Sequence, residues 1–218
     1  EDAVNNSSTD ACGSLSFDTD ITTFNSSDVG ENTVTLTVTD GSNNSSSATA
    51  IVTVIDIPAP ANDNLCDAVP LTMGTTSAGD AFTNVSATIQ TDEPIGSCWN
   101  GSGTKTVWFS FEAPASGNVA VSTDIAGGTL TDTHIAIYGA PTDCNDLTTL
   151  NNEVGCDGEG GVIVPHNSIA TVTGLIPGTT YYIQVEGYNS QTGTFGIEVM
   201  DNGCLTPTNL SVDNITET

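Results

Sequence analysis

Short runs in which apolar and polar residues alternate with period two recur along this chain, and they limit its fold more than any other feature. Examples are ENTVTLTVTD at 31–40, TVWFSFEAP at 106–114, GNVAVSTDI at 117–125 and THIAIYGA at 133–140. An alternation of this kind places one face of a strand on a core and the other towards solvent. Thr, Ser, Val, Ile, Gly and Asn dominate, while the long straight-chain residues of helical faces are scarce. The expected fold class is all-β.

Three strand-like runs fill residues 14–57: SLSFDTDITTF, ENTVTLTVTD and SSATAIVTVID, with turn signals at Asp28 to Gly30 and Asp40 to Asn44. Val34, Leu36 and Val38 form the apolar face. The run IPAPANDN, 57–64, contains two prolines that cannot join a ladder and reads as the start of a linker. Eight further runs follow: CDAVPLTMG, NVSATIQ, TVWFSFEAP, GNVAVSTDI, THIAIYGA, SIATVTGL, TTYYIQVEGYN and GTFGIEVMD. Their number and spacing predict a two-sheet sandwich of jelly-roll type. The expected core is Val107, Phe109, Phe111, Val119, Val121, Ile135, Ile137, Tyr181, Ile183, Val185, Phe195, Ile197 and Val199. The domain boundaries are then 1–57, a linker over 58–64, 65–203, and the start of a further unit over 204–218.

Charge narrows the partners. Among 218 residues, 27 are acidic and one, Lys105, is basic, giving a formal charge of −26. Nothing here can neutralise nucleic-acid phosphates or dock on an anionic lipid surface. No run of 18 apolar residues exists to span a bilayer, and no uncleaved signal peptide is present, so the chain is expected to be a soluble, mature piece.

The six cysteines, at 12, 66, 98, 144, 156 and 204, lack the paired spacing of zinc or redox motifs. Disulfides in an oxidising, extracellular setting are the expectation. Cys144 and Cys156 flank one loop, CNDLTTLNNEVGC, and are expected to pair. Cys66 with Cys98 is the next pairing, with Cys204 a competing partner for Cys66.

The motifs STDACG at 8–13 and DVGENTVTLTVTDGSNNSSSATAIVTVID at 28–56 resemble the later half of a HYR-type immunoglobulin-like repeat. That resemblance implies a partial sandwich whose first strands precede Glu1. Related repeats often carry a second cysteine at the position of Asn25, so it also implies that Cys12 lacks its usual partner. The motifs NDNLCDAVPL at 62–71, TVWFSFEAP at 106–114 and PGTTYYIQVEGYNSQTGTFGIEV at 177–199 resemble the pre-peptidase C-terminal (PPC-like) β-sandwich of secreted bacterial proteins. TPTNLSVDNITET at the end is similar to the opening strand of a fibronectin type III module. Together the resemblances imply a section of a large secreted surface or adhesin protein of Bacteroidota. Its partners would be other domains of the same long polypeptide or neighbouring copies in a fibre. The chain is expected to break off inside domains at both ends. The apolar face of Val34, Leu36 and Val38 would then be covered by strands preceding Glu1, or else by strand addition from 205–218 or from a second copy.

Catalytic chemistry finds little to work with. The only imidazoles are His134 and His166, without a Gly-x-Ser-x-Gly elbow or a His-Glu-x-x-His helix. His134 shares its strand face with Ala136 and Tyr138 and is expected on the sheet surface. Acidic residues concentrated in loops suggest calcium, which takes several carboxylate and carbonyl oxygens. One group is Asp132, Asp157 and Glu159; a weaker one is Asp18, Asp20, Asp40 and Asp56. For a carbohydrate or protein ligand the candidates are Trp99, in the polar loop DEPIGSCWNGSG, and Tyr138, Tyr182 and Tyr188. The sequence therefore predicts a non-enzymatic structural or adhesive section, or alternatively a polysaccharide- or peptide-targeting module of a secreted hydrolase.

Self-repulsion at −26 should yield to screening, so the melting temperature should rise with sodium chloride. It should rise further in millimolar calcium at matched ionic strength if the acidic groups bind the ion. Equal melting temperatures in calcium and in chelator would remove calcium from the account.

Overall fold

A computed structural model describes residues 13–99, 103–150 and 152–203. It divides between Ile57 and Pro58 into two units. Cys12, Cys204 and the fibronectin-like segment lie outside the described residues.

The first unit is an antiparallel sheet in the order β1-β2-β3, with β1 Ser16–Thr19, β2 Gly30–Thr39 and β3 Ser45–Val54. β2 and β3 pair over their whole length, from Gly30 opposite Val54 to Thr39 opposite Ser45. The hairpin turn is fixed by Asp40, whose carboxylate accepts the N–H groups of Ser42 and Asn44. On the apolar face, Val34 and Leu36 are only 3% and 6% exposed, while Val38 is half-buried.

In the second unit the strands are β4 Val69–Pro70, β5 Thr75–Thr76, β6 Phe82–Thr83, β7 Val107–Glu112, β8 Val119–Ser122, β9 Thr133–Gly139 and β10 Glu153–Asp157. β11 Ile169–Val172, β12 Thr180–Gly187, β13 Thr194–Phe195 and β14 Glu198–Asp201 complete it. A five-stranded sheet, β10-β9-β12-β7-β4, and a four-stranded sheet, β11-β8-β14-β5, carry the fold, with a small β13-β6 pair beside them. Every neighbouring pair is antiparallel except β4 with β7. All thirteen residues expected in the core are buried in one cluster, which draws on both of the larger sheets. The chain is an all-β protein, and this unit is a β-sandwich.

Several elements differ from the sequence reading: the short strands β5 and β6 lie outside the predicted runs, and GTFGIEVMD divides into β13 and β14. NVSATIQ is not a strand, because the buried side chain of Asn84 bonds backbone groups rather than leaving them to a ladder. Its amide donates to the carbonyls of Lys105 and Gln191 and its oxygen accepts from Gly193 N–H. Conversely EVGCD forms β10, a strand hidden by its Gly and Cys and by a register shift between Glu153 and Gly155. Asn62 and Asp63, assigned to the linker by composition, are buried in the second unit, where Asn62 exchanges hydrogen bonds with the backbone of Trp108.

The largest difference lies on the outer face of the five-stranded sheet. Trp108 of β7, His134, Ala136 and Tyr138 of β9, and Gln184 and Glu186 of β12 all point away from the main core and are nevertheless buried. A second apolar layer covers them. It comprises Leu65 in the 3-10 turn Leu65–Asp67, Trp99, and Leu147 and Leu150 at the 3-10 turn Leu147–Thr149. Truncating a buried aromatic such as Trp108 typically costs about 3–5 kcal/mol.

Two disulfides hold this layer, and neither is the expected one. Cys66 pairs with Cys144, joining the neighbourhoods of the two 3-10 turns, and Cys98 pairs with Cys156, joining the Trp99 loop to β10. The short loop favoured Cys144 with Cys156 on entropy alone. Pairing of β10 with β9 instead sets Cys156 opposite Ala136, where it meets the Trp99 loop, and Cys98 N–H donates to its sulfur.

Non-reducing peptide mapping should recover Cys66 linked to Cys144 and Cys98 linked to Cys156. Replacing Cys98 and Cys156 together by alanine should lower the unfolding free energy by about 4 kcal/mol on the chain-entropy account. A peptide linking Cys144 to Cys156 in the oxidised native chain would contradict this arrangement.

Candidate functional site

β9 and β12 run antiparallel with His134 opposite Glu186 and Thr133 opposite Gly187, so the residues just beyond this register, Asp132 and Tyr188, meet at one end of the sheet. Tyr188 N–H donates to the Asp132 carbonyl at 3.0 Å. The segment after β10 folds over the same end, since Thr133 N–H donates to the His166 carbonyl. Buried hydroxyls of Thr123, Thr133 and Ser168 reinforce the junction, with Ser168 N–H donating to both threonine oxygens at 3.1 Å.

His134 sits at the centre of this end, buried rather than on the sheet surface. Its Nδ1 lies 3.0 Å from Glu186 Oε1. The Trp99 indole stacks on the imidazole with ring centres 5.6 Å apart, and the Tyr188 ring meets it edge-on at 5.5 Å. Gly158 lies against the ring so closely that a Cβ there would fall 2.7 Å from His134 Cδ2. Trp99, a ligand candidate in the sequence reading with packing over the neighbouring disulfide as the other reading, is packed: it is 7% exposed and donates from Nε1 to the Ile135 carbonyl. The imidazole is thus enclosed and paired.

Further along the outer face, Tyr138 is buried and donates to Gln184 Oε1, so it offers no ring to a ligand. Gln184 Nε2 donates to Glu93 Oε1 at 2.8 Å and to the Pro94 carbonyl. Burial pushes the Glu93 carboxyl above the ordinary range, against the opposing pull of its hydrogen bonds to Thr106, Gln90 and Gln184. Trp108 Nε1 and Glu186 Oε2 are buried without a hydrogen-bond partner among the described residues.

Of the acids singled out for calcium, Asp132 and Glu159 come within electrostatic reach of each other. Asp157 Oδ2 accepts the N–H groups of Gly160 and Ile169. Glu159 pairs with His166 at 2.7 Å, both side chains being exposed, and that bond raises the His166 pKa. Asp132 lies within electrostatic reach of Glu159, His134 and His166, and burial, then Glu159, raises its pKa. In the first unit Asp20 accepts Thr35 N–H, which lowers its pKa, and Asp40 is held low chiefly by the Asn44 side chain. Asp18 sits on β1 opposite Thr37, and Asp56 follows β3. Among the described residues no three His, Cys, Asp or Glu side chains converge as a metal-holding group.

Of the aromatic candidates Tyr188 alone remains at the surface, 38% exposed, while Tyr182 is half-buried against the second layer. It stands at the end that also carries Asp132, Glu159 and His166. Two residues beside it, Asn189 and Ser190, adopt φ of 53° and 63°, and His166 adopts 73°, backbone values that non-glycine residues hold only when their surroundings enforce them. The sequence named Asp132, Glu159 and Tyr188 separately; their meeting depends on strand register and could not be read from spacing.

No family model matches the chain, and no curated protein matches it, so the HYR-type and PPC-like resemblances rest on their motifs alone. Several solved structures show similarity, two of which follow. One, described as explaining the promiscuous specificity of carbohydrate-binding modules from the β-sandwich superfamily, is 19% identical over 88% of this chain and 86% of its own, with a TM-score of 0.28. Another, CBM51-2 in complex with GlcNAc and INT domains from Clostridium perfringens ZmpB, is 12% identical over 85% of this chain and 40% of its own, with a TM-score of 0.21. At these scores neither lends its ligand to this chain.

The Glu93 carboxyl gives a testable sign. With its folded pKa above the unfolded value of 4.5, the folded chain holds this proton more tightly. The associated stability is present below that value and is lost as pH rises through the folded pKa. The unfolding free energy of the native chain minus that of Glu93→Gln, from urea titrations, should therefore fall as pH is raised from about 4.5 to 7. The raised His166 pKa acts equally in both proteins and cancels. A difference independent of pH would refute the assignment.

Proposed function

We propose that this chain is a non-catalytic structural and adhesive section of an extracellular bacterial surface protein, joined to further domains of the same polypeptide or to neighbouring copies. The observation that supports this most directly is the disulfide-held second layer. It encloses His134, Gln184 and Glu186, the polar groups of the sheet face where chemistry would otherwise be sought, and commits them to packing, with Glu93 of the cover bonded to Gln184. Two disulfides fit an oxidising setting. The excess of carboxylates fits a solvated outer surface.

A second reading, a carbohydrate-targeting module, is favoured by Tyr188. A partly exposed phenol ring offers a stacking face to the C–H side of a sugar, and Asp132 and Glu159 at the same end offer acceptors for hydroxyl groups. Calcium remains a proposal of the same rank, tested by melting in the ion and in chelator.

Polysaccharide and glycan arrays probed with the native chain and with Tyr188→Ala separate the two readings. A glycan retained by the native chain and released about tenfold more readily by Tyr188→Ala, at unchanged melting temperature, supports targeting through this end. No retention of the native chain on any glycan supports the structural section. Turnover of a polysaccharide by the isolated chain would overturn both.

A further inference from the structure

The loop between β10 and β11 carries the most exposed large apolar residue among those described, Val162 at 82%, with Ile163 beside it at 68%. The backbone N–H groups of Val162, Ile163 and Val164 all donate to the carboxylate of Asp124, at 2.5–2.9 Å. Asp124 is itself buried, and these donors outweigh the effect of burial and hold its pKa below the ordinary carboxylate range. Gly161 N–H donates to the Asn167 carbonyl, Asn167 N–H to the Val164 carbonyl, and the Asn167 amide to the Thr123 carbonyl. Gly161 fits so tightly that a Cβ would fall 2.3 Å from the Val164 carbonyl oxygen. The backbone of the loop is therefore built around a buried anion, and it presents the two aliphatic side chains outward. Ordering entropy that binding would otherwise cost is already spent.

Charge selects what such a surface can meet. The same loop carries the exposed Glu159, and Lys105, the single basic residue of the chain, is half-buried and bonded to the Ala87 carbonyl. At this loop a second copy would add another −26 to an already acidic surface, so like charge disfavours it as the occupant here. A sugar stacks on aromatic rings, and Val162 and Ile163 provide none.

We infer that the Val162–Ile163 loop is a docking point for a protein segment in which apolar side chains are flanked by lysine or arginine. The apolar anchors supply the contact and the acidic surface supplies orientation and a fast encounter.

The test uses the full chain and three synthetic peptides in roughly physiological salt. One alternates lysine with leucine, a second of equal length and charge alternates lysine with serine, and a third alternates glutamate with leucine. The native chain should bind the lysine–leucine peptide about tenfold more tightly than the lysine–serine peptide, and should not bind the glutamate–leucine peptide. The double variant Val162→Ser with Ile163→Ser has the same net charge and alters only exposed positions. It should melt at the native temperature and lose the preference for leucine. Should that variant melt lower, Val162→Thr with Ile163→Thr keeps the β-branched backbone preference and is read in the same way. Equal binding of the two lysine peptides by the native chain, or an unchanged preference in the double variant, overturns the inference. Sedimentation showing native self-association that the double variant loses would assign the loop to a second copy and overturn it as well.

Discussion

The central sheet of the second unit is buried on both faces, and the rest of that unit is organised around this constraint. A sheet covered on one side needs only alternation. This one carries Trp108 and Tyr138 on its outer face, too much aromatic surface to leave in water, together with His134, Gln184 and Glu186, which cannot be buried without partners. The cover must therefore supply both apolar area and hydrogen bonds. Leu65, Trp99, Leu147 and Leu150 supply the first, and Glu93 and the Pro94 carbonyl supply part of the second. Since the cover consists of loops and single 3-10 turns, with little ladder bonding of its own, covalent attachment compensates for the order it lacks.

How much of this was legible in the sequence follows from the same point. Strands whose inward residues are apolar declare themselves by alternation, so all thirteen expected core residues are buried, while Leu130, Ala170, Val172 and Leu175 join the same core without having been named. The outward set reads as polar and aromatic, which alternation treats as solvent-facing. His134 and Tyr138 were misplaced for that reason, because the layer that buries them comes from segments with no period at all. NVSATIQ failed in the opposite direction: its composition suits a strand, but one amide side chain, that of Asn84, satisfies backbone groups at three places and fixes the segment as a turn.

The candidate end of the sandwich was legible only in parts. Asp132, Glu159 and Tyr188 could be named from residue type, whereas their convergence follows from the β9 to β12 register and from a loop held by Asp124, neither of which leaves a mark on local spacing. Carboxylate clustering in sequence proved a poor guide to clustering in space. Asp157, Asp20 and Asp40 each accept nearby backbone N–H groups, the usual work of an aspartate in a turn, and so face their own loops rather than one another.

The order of the four bridged cysteines along the chain has a further consequence. The sequence runs Cys66, Cys98, Cys144, Cys156, while the bonds join first to third and second to fourth. The crosslinks are interleaved, so neither native bond links cysteines adjacent in the chain. In an unfolded chain meeting an oxidant, ring closure favours the nearest thiols, and the nearest pair among these four is Cys144 with Cys156, a non-native one. Correct oxidation therefore depends on the β9 to β10 pairing forming first, or on repeated reshuffling by an exchange catalyst in the compartment where the chain matures.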